Sequence, residues 1–302
     1  MLPRLRVRSP LRPWPRAVAA GVVVVSLAAV IQASGPPRDR AHADVTEWDG
    51  PCKVMSLDDI RRIPRHRLPT IRTYRWAAAA ALSVVERDLR LPPLRGELAL
   101  YSSREAFKAA LLDDGHRPLL GDASLATMIG VSTPGRICLN IHQLYPYSWS
   151  VRIAALAHEM THVAQYQLAG GHRRGTEQWL REGMAEWVGA RVLEILGQGT
   201  AASSVRAVRD VLGREAERQP LPGLGDLVSV ASWSRLAKQG LERPLYDISL
   251  VAAADLIDRH GLGALVEYFG RFAGSDDRAG HFRACFGEDP EAFEARLDLT
   301  WK

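Results

Sequence analysis

Apolar positions recur along most of this chain with a period near 3.6 and, over a few short runs, with a period of 2. The first pattern marks helices and the second strands, so the sequence predicts a mainly helical protein with one small sheet. Gly35 to Gly50 reads as a polar linker, and "SLDD" at Ser56 opens a short helix through a capping-box-like pattern. Residues 69–90, rich in alanine, form a long helix ended by Pro92 and Pro93. "ELALY" (97–101) is a strand, followed by a helix capped by Ser102 and Glu105 that runs through Leu112. "TMIGVS" and "RICLNI", joined by Thr133, Pro134 and Gly135, form a hairpin. Helices then follow to the C-terminus, interrupted by "QPLPGLGD" (219–226). The last long one begins near Arg243, with Ile248, Val251, Ala252 and Leu256 on its buried face. The fold class is therefore α+β.

One helical segment carries polar groups that its apolar surroundings do not explain. "AALAHEMTHVAQYQ" (154–167) places His158 and His162 four positions apart, on one face of a helix. Two imidazoles aimed at one point suit zinc, and a catalytic zinc takes three protein ligands with a fourth position open. Glu159, next to His158, lies where a general base for a water at that open position belongs. The flanking residues 155–157, 160, 161, 163 and 164 are uncharged and include no proline, so the helix is unbroken.

The third ligand belongs on a neighbouring helix, and the next periodic segment supplies a candidate. "AGGHRRG" (169–175) reads as the connection of an antiparallel helix pair. From Thr176 onward Trp179, Leu180, Met184, Val188 and Val192 form an apolar stripe, and Glu182 and Glu186 lie four apart on one face. Glu182 is the candidate third ligand. Glu186, one turn on, can accept the outer N–H of a ligand histidine and fix its tautomer.

HExxH, nineteen residues, then Glu in "WLREGMAEW" resembles the gluzincin branch of zinc metallopeptidases, and most closely its exported peptidase-MA-like families. The motif covers about 150–190; from about 95 to the C-terminus the likeness is a coarse pattern. The resemblance implies a zincin-like fold whose helix pair carries one zinc on His158, His162 and Glu182, with Glu159 as base and a peptide or protein as substrate. It also implies that Met128 to Ser132, as the strand bordering the cleft, pairs with substrate backbone. Related gluzincins place a tyrosine or histidine on a comparable downstream helix, which makes Tyr246 the candidate oxyanion donor and His260 its competitor. The Gly-x-Met-Glu-Asn segment of the aminopeptidase relatives is missing, which favours endopeptidase action.

Composition bounds the remainder. The 302 residues, 47% hydrophobic, are enough for a sizeable core. The formal charge of +5 is misleading. Seven of the 39 Lys and Arg and one of the 34 Asp and Glu lie in residues 1–43, so 32 basic and 33 acidic residues remain. No basic stripe with interleaved aromatics points to nucleic acid. The basic start instead precedes an apolar run, Ala17 to Ile31, and reads as an export segment. It is either a signal peptide cleaved after "AHA" (41–43) or a membrane anchor with its arginines inside. Residues 44–302 then form the peptidase domain, outside the cytoplasm. Cys52, Cys138 and Cys285 suit an oxidising compartment and allow one disulfide and a spare thiol, or three reduced thiols. The alternative to an enzyme is a non-catalytic extracytoplasmic binding or scaffold protein on the same fold, which would be marked by loss of Glu159 or of a ligand.

Overall fold

A computed structural model describes residues 50–113, 128–172 and 175–298. The expected export segment lies outside these residues. Among the described residues no helix is long and apolar enough to cross a membrane.

Four short strands form one mixed sheet in the order β1-β2-β4-β3: β1 is Cys52–Ser56, β2 Glu97–Tyr101, β3 Gly130–Thr133 and β4 Arg136–Asn140. β1 runs antiparallel to β2, β2 parallel to β4, and β4 antiparallel to β3. The β3–β4 hairpin turns at Pro134 and Gly135, where Gly135 takes a φ of 96° that a side chain would disfavour. Alternation of side chains splits the sheet between two cores. Ala99, Tyr101, Val131 and Cys138 face a small core with Phe107 and Leu111, while Leu98, Leu100, Ile137 and Leu139 face the main helical core.

The helices are α1 (Leu57–Arg61), α2 (Tyr74–Ser83), α3 (Arg104–Asp113), α4 (Ile141–Leu144), α5 (Trp149–Leu168), α6 (Gln178–Ile195), α7 (Ala201–Ala216), α8 (Val230–Leu236), α9 (Glu242–His260), α10 (Leu262–Arg271), α11 (Arg278–Phe286) and α12 (Pro290–Asp298). α5 is the centre of the main core: it packs on α2, α6 and the sheet, and every residue from Ser150 to Tyr166 is buried. α6 lies between α5 and α9. The close approach of α6 to α9 depends on Gly183, where a Cβ would sit 2.0 Å from the carbonyl oxygen of Ser249.

The strands 97–101 and 136–140, the hairpin and the α9 helix agree with the sequence pattern. Several boundaries differ for local reasons. The helix expected over 69–90 begins at Tyr74, because Thr73 caps it by accepting from the Trp76 N–H and Pro69 sits in a preceding 3₁₀ turn. Beyond Ser83 it continues as a π turn over Val84–Asp88. The cap of α3 is Ser103, whose hydroxyl accepts from the Ala106 N–H, whereas Ser102 donates to the carbonyl of Gly50. β1 was not expected at all. Its "CKVMS" has no clean alternation, and pairing with β2 is what makes it a strand.

All three thiols are free, which is the second of the two alternatives the sequence left open. Cys52 and Cys138 stand on strands that flank β2, opposite Tyr101 and Ala99, so two strand spacings, about 9–10 Å, and a further two residues along β2 separate them. A disulfide needs Cα atoms within about 7 Å. Cys285 lies in α11, among the C-terminal helices.

Candidate metal centre

Burying α5 on all sides also buries its polar residues, and buried polar groups need partners. His158, Glu159 and His162 are at most 1% exposed, as is Glu182 on α6. The pairing of α5 with α6 brings three of these donors to one point. Nε2 of His158 and Nε2 of His162 are 3.0 Å apart, and Glu182 Oε2 is 3.4 Å from each. Four-coordinate zinc with bonds of about 2.0–2.1 Å separates its ligand atoms by ~3.3 Å, so this triangle has the size of one face of such a tetrahedron. Glu182 Oε2 has no hydrogen-bond partner. These three residues can hold a metal ion.

Each of these three candidate ligands is oriented from behind. Gln165 Nε2 donates to the carbonyl of Arg181, which turns its Oε1 toward His162 Nδ1 at 2.9 Å. Gln165 thereby holds the proton of His162 on Nδ1 and frees Nε2 as a ligand. Glu186 Oε1 lies 3.1 Å from His158 Nδ1, although off the line of a straight hydrogen bond. Glu182 accepts from Gln178 Nε2 at 2.7 Å through Oε1, leaving Oε2 for the metal. Sequence reasoning placed Glu186 but missed Gln165 and Gln178. Their signal was spacing: Gln165 is three residues after His162, and Gln178 is four before Glu182.

Glu159 stands beside the triangle and takes no part in it. Its Oε2 accepts from the Ser132 hydroxyl, and its Oε1 has no partner. Tyr246, on α9, reaches the same place. Its ring centroid is 6.4 Å from that of His158, Trp233 packs edge-on against it, and its hydroxyl is buried without a partner. His260 is not brought to the site. It lies at the exposed C-terminal end of α9 against Phe286, fourteen residues and so about 21 Å along the helix from Tyr246. His66 stacks on Trp76, and His142 and His172 are exposed.

Burial and mutual contact shift the charges of the cluster in opposite directions. Burial pushes the Glu159 carboxyl up to about 7, against the pull of His158 and the Ser132 hydroxyl. Burial also raises Glu186. Burial works to lower His158, but Glu182 and Glu186 outweigh it and carry it up to about 10. Burial would raise Glu182, yet the two histidines hold it well below the usual carboxylate range. His162 is pushed down by burial, which Glu182 does not overcome. Protons thus supply the positive charge among these buried carboxylates and imidazoles, and a metal cation held by His158, His162 and Glu182 would compete with them for the same nitrogens.

A second buried network anchors the start of α6. Glu177, the residue before the helix, accepts from Tyr268 Oη and Arg278 Nε, and Arg278 also donates to Glu294, which accepts from Trp179 Nε1 at 3.2 Å. Two nearly buried carboxylates thus share one guanidinium between α6, α11 and α12. Comparison of the chain with family models, with curated proteins and with solved structures gives no match. The functional reading rests on the geometry.

Proposed function

We propose that this chain is a zinc-dependent peptidase of the zincin type that acts on internal peptide bonds. The observation that carries the reading is the separation of roles around one point: three ligand atoms with tetrahedral spacing, and beside them a glutamate that binds no ligand position. The intact Glu159 and complete ligand set favour an enzyme over a scaffold.

His158, His162 and Glu182 would hold the zinc, with Gln165, Glu186 and Gln178 keeping their ligand atoms turned inward. Zinc, when bound, supplies Lewis acidity that polarises a carbonyl and makes water a nucleophile at neutral pH. Glu159 takes the proton from the attacking water and delivers it to the departing amine. The Tyr246 hydroxyl donates to the substrate carbonyl oxygen as negative charge builds there. β3, at the end of the sheet, offers backbone groups to an extended substrate, which suits a peptide bound along its length.

Casein cleavage, zinc content and circular dichroism test this together. Glu159→Gln should keep metal and fold while lowering the rate by about 10² to 10⁴. Tyr246→Phe should lower turnover by roughly 10² to 10³ with zinc retained. If the zinc-loaded wild type cleaves nothing across a broad peptide library, the scaffold reading replaces this one.

A further inference from the structure

β3 presents two residues to Glu159 from one face. Gly130 and Ser132 are two apart, so they point the same way, and Val131 between them points into the small core. A Cβ at Gly130 would lie 2.5 Å from Glu159 Oε1, so the missing side chain is what gives that oxygen room. Ser132 is 1% exposed, and its hydroxyl lies within bonding distance of Glu159 Oε2 and, at 3.0 Å, of the Glu159 main-chain oxygen. One hydroxyl hydrogen faces two acceptors of the same residue. The hydroxyl thus ties the carboxylate to its own helix backbone, fixing the side chain's orientation relative to α5. Pairing with β4, Gly130 to Leu139 and Ser132 to Ile137, fixes the register that makes both contacts. A slip of one residue would turn both away.

We infer that Ser132 is the positioning residue of Glu159: its hydroxyl pins Oε2, so that Oε1, unpartnered and accommodated by Gly130, is the oxygen that exchanges protons. The inference rests on the peptidase reading for its kinetic consequence, but the geometry it asserts does not. A carboxylate with both oxygens free would rotate about its terminal bond and spread its proton-accepting lone pairs over many directions. One held by a short donor on a rigid strand does not.

The test uses the zinc-loaded full chain and two independent measurements. In kinetics, Ser132→Ala lowers kcat by about 10- to 100-fold, the worth of a hydrogen bond to a charged group, with KM and zinc content nearly unchanged. In calorimetry, a simple peptide hydroxamate, which offers an N–H and O–H to a carboxylate beside the metal, binds Ser132→Ala about tenfold or more weakly than wild type. The same substitution in a Glu159→Ala background leaves hydroxamate affinity unaltered, because nothing remains to be positioned. Equal kcat and equal hydroxamate affinity for Ser132→Ala and wild type would overturn the inference. An equal loss of affinity in both backgrounds would also overturn it, since the hydroxyl would then act without Glu159. If the wild type binds zinc and hydroxamate but cleaves no peptide, the peptidase reading fails and the binding cycle still decides the role of Ser132.

Discussion

Gly130→Ala adds a single methyl group and should separate function from stability. The new Cβ would meet Glu159 Oε1 at 2.5 Å, Glu159 Cδ at 2.8 Å and Leu139 Cδ2 at 2.9 Å, where ordinary contact begins at 3.4 Å. The atoms in the way are the ends of flexible side chains, and the backbone at Gly130 needs no left-handed φ. The carboxylate therefore yields, by about 0.9 Å, and a displacement near 1 Å in a reacting group can cost about 10²-fold in rate. Stability should change little. Alanine restricts the unfolded chain, worth about 0.4–1 kcal/mol, and this offsets part of the crowding. Gly183→Ala is the contrasting control, because its Cβ would lie 2.0 Å from a main-chain oxygen on α9 and the helices must part. That overpacking costs about 1–3 kcal/mol or more. The assay is kcat on a fluorogenic peptide beside urea unfolding and zinc content. Gly130→Ala should lose about 10² in kcat while keeping its metal and unfolding within about 1 kcal/mol of wild type. Full activity in a stable, zinc-loaded Gly130→Ala would refute the placement of Glu159 against β3 or its role as base.

Two further outcomes are expected. Glu182→Gln exchanges a charged ligand for a neutral one and should lower zinc retained after dialysis by about tenfold or more, whereas unchanged retention would remove Glu182 from the ligand set. Burial pushes Glu294 from 4.5 up to about 7, so the folded chain holds that proton more tightly than the unfolded one. Its contribution to stability is therefore greatest below about pH 4.5, declines as pH rises toward 7 and is flat above. Unfolding of Glu294→Gln by urea should depend less on pH across this window than unfolding of the wild type, and superimposable pH profiles would show that Glu294 does not titrate there.

Much of the site was legible because it is written at short range. His158, Glu159 and His162 are one turn of one helix, and Glu182 with Glu186 are one turn of the next, so the 3.6-residue period alone groups them. Tyr246 was legible only as a position near the start of a buried helix, and α9 lying against α6 is what brings it to His158. Its competitor His260 stood second to it in the sequence, and helix length puts it at the far, exposed end. Gln165 and Gln178 shared the helical spacing of the ligands but read as ordinary polar residues, since amide side chains carry no charge and have many uses on a helix.

The sequence by itself determined the elements that repeat a period: the helix pair around 154–167 and 176–196, the helix from Arg243, the strands 97–101 and 136–140 and the hairpin turn at Gly135, because burial of one face imprints its spacing on the residues. Tertiary structure alone decided what depends on residues distant in sequence. β1 exists through its pairing with β2, and the cysteines stay apart because β2 lies between two of them. The hold on Glu159 joins residues 27 apart, through a serine and a glycine whose types are common on any strand. Such contacts leave no periodic trace, since they follow from how sheet and helix are stacked rather than from how either is formed.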